Sequence, residues 1–218
     1  MSTDNREDYL INILRLTDGT GTVKTTELAH YMDVSPASVT EMLKVLSKEG
    51  LVNYARYRGV SLTEEGDRKA RDLRRKHHIM ERFLTDVLEI DHQEAHDQAC
   101  AVEHSISEDA ANRMCRMIGT KVDGDCTTCQ NPCSNSLTNI TDCVPVTQLK
   151  EGEGGRISHL SSDDPDTIRK LISLGVVPGK ELRISSEDSD TVILSIGGGF
   201  IALESSLASA VHIDRPVA

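Results

Sequence analysis

The sequence predicts an α+β protein with a helical N-terminal region that ends in a short hairpin, a helical middle region and a small C-terminal β-barrel. Apolar residues recur at helical spacing through most of residues 4–118, which indicates amphipathic helices. A polar, cysteine-rich stretch follows. Beyond residue 146, glycine clusters separate short runs of alternating apolar residues, a pattern typical of small β-domains. A chain of 218 residues has room for two or three such domains.

Composition argues against several classes of protein. Hydrophobic residues make up 38% and charged residues 27%, values that do not fit a disordered or collagen-like chain. The apolar runs are far shorter than the ~20 residues needed to cross a bilayer, so no membrane partner is expected. The polar N-terminus has no apolar core of a signal peptide, which favours a cytoplasmic location. The sequence has no Trp and only 3% aromatic residues, so a surface that stacks the bases of single-stranded nucleic acid is not expected.

The charge is distributed unevenly. The net charge is −11, but residues 1–80 carry 13 Lys/Arg against 12 Asp/Glu, whereas the remainder carries 11 against 23. This asymmetry allows a DNA-facing surface in the first third of an acidic protein.

The first three elements read as helices with recognisable ends. Asp4 and Glu7 have capping-box spacing ahead of an apolar face, and residues 17–21 form a breaker. A second helix is predicted over Thr25–Met32. Ser35 is a good N-cap and Pro36 a favourable first residue for a third helix over Pro36–Glu49, which Gly50 ends.

A basic hairpin follows these helices. Two extended runs, Leu51–Tyr57 and Val60–Thr63, are joined through Arg58-Gly59. Two helices around a tight turn, followed by a basic hairpin, predict a winged helix-turn-helix domain over residues 1–75. The third helix fits the ~12 Å major groove of B-DNA. The predicted DNA contacts are Ser35, Pro36, Ala37, Ser38, Thr40, Lys44, Arg56 and Arg58. The competing interpretation is a helical bundle with ordinary caps.

The middle region, residues 76–122, carries a candidate interface. A long helix is predicted over Glu64–Glu89, and its apolar density after Ile79 suits an interface. A second continuous helix is predicted over His92–Ile118. The family resemblance described below implies that this region forms a homodimer.

Metal-ligating side chains lie on one stripe of the second of these helices. His96, Cys100, Glu103 and His104 have offsets of 0, +4, +7 and +8, which place them within about 100° of one face. His77 and Glu81 are spaced i, i+4 on the preceding helix, and Asp8 can add a carboxylate. This donor mixture suits Fe(II), Mn(II), Co(II), Ni(II) or Zn(II). The competing interpretation is a solvated polar helix face.

Four cysteines mark the linker predicted over residues 123–145. They are Cys126, Cys129, Cys133 and Cys143. Their spacing leaves three alternatives open, which are a Zn site, an iron–sulfur cluster and redox-active or simple thiols. Cys115 lies on an apolar helix face and is interpreted as a core residue.

The last domain, residues 146–218, contains one predicted helix near Pro165–Leu174 and three predicted strands. These strands are Leu182–Ser185, Val192–Ile196 and Phe200–Glu204.

Several segments resemble the diphtheria toxin repressor family of iron- or manganese-dependent transcriptional repressors. The resemblance covers residues 4–118, and residues 146–213 resemble the FeoA-like form of the family's SH3-like C-terminal domain. The residues that carry it are Glu7–Leu10, Val34–Leu43, Gly50–Val52, Leu62–Gly66, Lys76–His78, Glu81–Leu84, Ala99–His104 and Leu174–Gly179.

The resemblance implies two metal sites. The primary site would use Asp8, Cys100, Glu103 and His104. The ancillary site would use His77, Glu81 and His96, with Asp164 as the carboxylate from the C-terminal domain. Asp8 is the choice of manganese-type members and Cys100 that of iron-type members. Because a thiolate is a soft ligand, Fe(II) is the expected metal and Mn(II) the alternative.

The resemblance also implies a mechanism and partners. A cation that joins Asp8 to the dimer region would fix the dimer for binding double-stranded operator DNA, and the protein would repress metal-uptake genes without being an enzyme. Two other classes stay open, which are a metal-dependent enzyme and an iron-transport accessory or metal buffer. No P-loop, nucleophile elbow or His-Glu-x-x-His motif supports the enzyme.

Overall fold

The computed structural model describes residues 3–17, 19–118, 143–188 and 190–214. Its contacts divide the chain into two compact units, Met1–Lys76 and His77–Ala218. The predicted mixed helix-and-sheet class is confirmed. The first unit contains α1 (Thr3–Thr17), α2 (Thr25–Tyr31), α3 (Pro36–Lys48), β1 (Val52–Ala55), β2 (Gly59–Leu62) and most of α4 (Glu64–Arg82).

The core of the first unit follows the helical spacing of the sequence. The apolar residues that recur at helical spacing on α3, which are Val39, Met42, Leu43 and Leu46, are all buried. The Ser35 hydroxyl accepts a hydrogen bond from the Ser38 amide at 3.1 Å and so caps α3. Gly50, with a φ of +73°, takes the left-handed conformation that ends the helix.

The hairpin is antiparallel and slightly shorter than predicted. Val52 pairs with Leu62 and Ala55 with Gly59. Val23, which lies between α1 and α2, forms an isolated bridge with Val60, so the hairpin is tied to the helices. The structure therefore contains the helices and the wing that the sequence predicts.

The helical part of the second unit differs from the prediction at two places. The helix predicted over Glu64–Glu89 leaves regular α-geometry after Arg82, where α4 ends, and Phe83–Val87 forms a π-helical turn. The predicted continuous helix over His92–Ile118 is wrong, because the structure has α5 (His92–Val102) and α6 (Glu108–Ile118). The Ser107 hydroxyl accepts from the Ala110 amide at 3.2 Å, which starts a new helix.

The C-terminal part contains β3 (Cys143–Pro145), β4 (Gly154–Leu160), α7 (Pro165–Ser173), β5 (Glu181–Glu187), β6 (Thr191–Ile196), β7 (Gly199–Glu204), α8 (Ser205–Ala208) and β8 (Val211–Asp214). Its six strands form an antiparallel sheet with the order β3-β8-β4-β5-β6-β7. Three strands, β3, β4 and β8, were not predicted from the sequence. Strand β4 pairs with β5 through its first half and with β8 through its second.

Within the second unit, the sheet part contacts the helical part. Arg169 on α7 donates to the backbone carbonyl of Asp86 in the π turn at 2.7 Å. Val87 of the same turn packs against the hydrophobic core of the sheet. Among the described helices, none combines the length and apolar character that crossing a bilayer requires.

Candidate metal centre and nucleic-acid interface

Two neighbouring helices supply the metal-ligating side chains of the second unit. His77 and Glu81 lie one turn apart at the end of α4, and His96 and Cys100 lie one turn apart on α5. Glu103 follows directly after α5. The predicted helical spacing therefore places these groups on facing surfaces.

His77 is the buried centre of this cluster. Only 2% of its side chain is exposed, and its Nδ1 lies 2.8 Å from Oε2 of Glu103, whose side chain is 5% exposed. A buried carboxylate requires such a partner because desolvation disfavours its charge. The other carboxylate oxygen of Glu103 lies 3.5 Å from Nε2 of His104. Glu103 is thus held between two imidazoles.

The opposite ring nitrogen of His77 faces two further donors. Its Nε2 lies 3.2 Å from Nδ1 of His96 and 3.6 Å from Oε2 of Glu81. Oε1 of Glu81 lies 3.5 Å from Nδ1 of His96. When Nδ1 of His77 donates to Glu103, Nε2 carries the lone pair that a metal needs.

These separations fit one coordination sphere. Ligand atoms bound about 2.1 Å from a tetrahedral metal lie roughly 3.4 Å apart. The 3.2 Å between Nε2 of His77 and Nδ1 of His96 is close to that value, and each of these nitrogens faces a different oxygen of Glu81, at 3.6 Å and 3.5 Å. Two imidazoles and a carboxylate are also a donor set that first-row divalent cations accept. The residues present therefore fit a divalent cation.

Cys100 approaches the same imidazoles from another side. Its sulfur lies 3.8 Å from Nδ1 of His77 and 3.8 Å from Nε2 of His96. His77, His96 and Cys100 each offer a ligand atom within 4.8 Å of the others. Glu81 faces Nδ1 of His96, whereas Cys100 faces Nε2 of the same ring. The carboxylate and the sulfur therefore approach different nitrogens of His96.

Asp8 and Asp164 are the other two carboxylates that were predicted as ligands. Asp8 is partly buried on α1 in the first unit. Asp164 caps α7 by accepting hydrogen bonds from the amides of Asp166 and Thr167, both at 3.2 Å, and from the Thr167 hydroxyl at 2.9 Å. These bonds, led by that from the hydroxyl, lower the pKa of the Asp164 carboxyl. Among the described residues, Asp164 is not part of the metal-ligating cluster.

The cysteine-rich segment is described only at its end. Cys126, Cys129 and Cys133 lie outside the described residues. Cys143 is in β3, where its sulfur lies 3.4 Å from the Ser158 hydroxyl and 3.6 Å from Oδ1 of Asp214. The prediction for this segment therefore stays a prediction.

The predicted DNA contacts lie on exposed parts of the first unit. Ser35, Pro36, Ala37 and Ser38 are exposed at the start of α3. The Thr40 hydroxyl donates to the Pro36 carbonyl at 2.8 Å, which leaves its oxygen available as an acceptor.

The side chains that could meet phosphates are also exposed. Lys44 is paired with Glu41 at 2.7 Å, and Arg56 and Arg58 lie at the tip of the hairpin.

A groove of about 580 Å³ separates α3 from the hairpin. Sequence reasoning missed several residues that line it, although a lysine directly before α2 and two hydroxyls at its start were an available signal. The lining residues are Lys24, Thr25, Thr26, Pro36, Thr40, Lys44, Tyr54, Arg56, Tyr57 and Gly59. Three of them are cationic, so the groove suits a phosphate backbone.

Comparison with protein-family models gives three matches. Residues 1–60 match the N-terminal DNA binding domain of iron dependent repressors, and residues 63–127 match their metal binding and dimerisation domain. Residues 144–215 match the FeoA domain.

Curated relatives give a consistent picture. An uncharacterized HTH-type transcriptional regulator of Methanocaldococcus jannaschii is 38% identical over 50% of this chain and 87% of its own length. The iron-dependent repressor IdeR of Mycobacterium leprae is 27% identical over 97% of both chains. The HTH-type transcriptional regulator MntR of Lysinibacillus sphaericus is 29% identical over 54% of this chain and 84% of its own. These matches show that the chain belongs to the iron-dependent repressor family, that of the diphtheria toxin repressor.

Proposed function

We propose that this protein is a metal-dependent transcriptional regulator that, when loaded with Fe(II) or Mn(II), binds double-stranded operator DNA as a homodimer and represses metal-uptake genes. The observation that carries the proposal is the cluster of His77, Glu81 and His96, in which two imidazole nitrogens lie 3.2 Å apart and each faces an oxygen of one carboxylate. Operator binding places the protein in the cytoplasm. We assign it no catalytic role.

We propose Fe(II) as the physiological metal, with Mn(II) as the alternative. The thiol of Cys100 beside the imidazoles supports this choice, because a thiolate is a softer ligand than a carboxylate. A second cation would be held by Cys100, Glu103 and His104. Asp8 is included as its fourth ligand because of the resemblance to the family. The four-cysteine segment that ends at Cys143 is proposed as a separate Zn or iron–sulfur site.

The metal would act by joining helices. His77 and Glu81 belong to α4, whereas His96 and Cys100 belong to α5, so one cation cross-links two helices of the dimerisation region. When bound, the ion supplies positive charge that offsets the clustered carboxylates. A dimer reads two half-sites about 34 Å apart, so a dimer region of fixed shape favours DNA binding. A tenfold gain in DNA affinity needs only about 1.4 kcal/mol of coupling.

The test compares Glu81→Gln with the matched control Glu94→Gln. Glu94 is an exposed glutamate on α5 that accepts a hydrogen bond from Gln98. Anaerobic calorimetry measures Fe(II) and Mn(II) binding, and fluorescence anisotropy measures binding to duplexes that the metal-loaded wild type selects from a random-sequence pool. Glu81→Gln should lose about 10–100-fold in metal affinity and require correspondingly more metal for DNA binding, whereas Glu94→Gln should match the wild type.

Three results would contradict the proposal in different ways. Wild-type metal affinity in Glu81→Gln and also in His77→Ala would reject the site. DNA binding that chelator leaves unchanged would reject metal dependence. Metal binding with no selected duplex would instead favour a metal buffer or iron-transport accessory.

A further inference from the structure

Tyr57 occupies a backbone position at the tip of the hairpin that favours glycine. The Arg58 amide donates to the Ala55 carbonyl at 3.0 Å, which closes a four-residue turn with Tyr57 as its third residue. Tyr57 has a φ of +70°. A turn that requires positive φ at this residue is normally built with Gly or Asn, because a side chain there is strained.

The ring of Tyr57 is directed away from the protein. Tyr57 is 91% exposed, so it adds almost nothing to the hydrophobic core. The guanidinium of Arg56 lies 5.1 Å from the centre of the ring, within the range of a cation–π contact. A large aromatic residue that is strained and exposed therefore holds an arginine in place at the tip of the hairpin. Such strain is commonly found where a side chain has a binding role.

The charge of this surface indicates what it meets. Residues 50–63 contain Arg56 and Arg58 and no Asp or Glu. The adjoining groove adds Lys24 and Lys44, together with the hydroxyls of three threonines. A polyanion is the complementary partner.

The position of the groove indicates which part of DNA the tip would reach. With α3 in the major groove, a groove of this lining would hold the sugar-phosphate backbone beside it. In B-DNA a single backbone separates the major groove from the minor groove. With the backbone held in this groove, the tip of the hairpin would lie on its far side and would face the minor groove.

We propose that Tyr57 contacts the sugar edge of the minor groove and positions Arg56 in it, so that the protein reads the A·T content of base pairs that α3 does not touch. Narrow minor grooves of A·T tracts have enhanced negative potential, which attracts arginine. The inference rests on the proposed DNA-binding function. It adds a positioning residue and a source of sequence preference to that function.

The experiment measures DNA affinity and protein stability in the same variants. The metal-loaded dimer binds a duplex selected by the wild type, and a second duplex with G·C pairs in place of A·T pairs flanking the selected site. Tyr57→Gly removes the ring and the strain, Tyr57→Phe removes only the hydroxyl, and Tyr31→Ala removes another exposed tyrosine of the same unit. Thermal unfolding is followed for each variant.

The expected pattern separates a DNA contact from a structural role. Tyr57→Gly should bind the selected duplex about tenfold more weakly and lose its preference for A·T flanks, while melting at the same or a higher temperature. Tyr57→Phe and Tyr31→Ala should bind like the wild type.

Two results would overturn the inference. In one, Tyr57→Gly binds both duplexes as the wild type does. In the other, the wild type binds the two duplexes equally. A wild type that selects no duplex would refute the proposed function itself, and this inference with it, before any variant is compared.

Discussion

Lowering the pH from 7 to 4 should loosen the C-terminal sheet, because two imidazoles are buried in it. His159 of β4 and His212 of β8 stack with their ring centres 4.6 Å apart and their planes 16° from parallel. His159 is 5% exposed. Within the described part of the chain, neither Nδ1 atom has a hydrogen-bond partner. A proton on either of these nitrogens would therefore have no hydrogen-bond acceptor there.

The sign and the magnitude follow from His159. Burial, together with His212 and Arg116 and against the opposing effect of Asp214, lowers the pKa of His159 from its usual 6.5 to about 4. Between these values the unfolded chain binds more protons than the folded one, so stability falls as the pH drops through this window. The loss of folding free energy approaches about 3 kcal/mol at pH 4, since each unit of difference in pKa corresponds to about 1.4 kcal/mol. Above pH 6.5 this residue contributes no pH dependence.

Hydrogen–deuterium exchange measures the effect locally. Peptides that cover β4 and β8 report the opening free energy of this sheet in the full-length apo protein, after correction for the intrinsic exchange rate. The wild type should lose protection between pH 6.5 and 4. His159→Phe retains a flat ring. Over the same pH window, its opening free energy should fall by about 3 kcal/mol less than that of the wild type. Equal pH profiles for wild type and variant would refute the reasoning.

Further substitutions test a tightly packed glycine and a helix cap. Gly66→Ala should lower the free energy of unfolding by roughly 2 kcal/mol or more, because its Cβ would overlap the backbone carbonyl of Leu51. The control is Gly199→Ala, where the nearest neighbouring atom lies 3.9 Å from the added Cβ. This control should have little effect in the same denaturant titration. Asp164→Ala should cost about 1 kcal/mol by removing the cap of α7, and Asp164→Asn should cost less because an amide oxygen still accepts hydrogen bonds. Weaker metal binding by Asp164→Asn in calorimetry would instead assign this carboxylate to the metal.

Much of the metal-ligating cluster was predictable from spacing alone. His77 with Glu81, and His96 with Cys100, repeat at one helical turn, and the structure brings all four together. The pairing of Glu103 with His77 was not predictable. Glu103 lies just beyond the end of α5, and its contact depends on how α4 and α5 pack.

The errors in the fold prediction have a common cause. The apolar face of His92–Ile118 continues past Glu103, so periodicity alone does not show the break that the Ser107 cap introduces. Strands β4 and β8 were missed because glycines and histidines weaken the alternating pattern. Both strands form through pairing with neighbours that are distant in sequence.

The sequence by itself determined the helical N-terminal region, the caps and turns of its helix-turn-helix, and the family, because helix ends and apolar spacing arise from interactions between residues a few positions apart. Only the tertiary structure decided which nitrogen of His77 faces Glu103, that two imidazoles stack in the sheet, and that Tyr57 stands exposed with Arg56 at the hairpin tip. These features depend on packing, on strand register and on the backbone conformation of a turn, and no single segment specifies them.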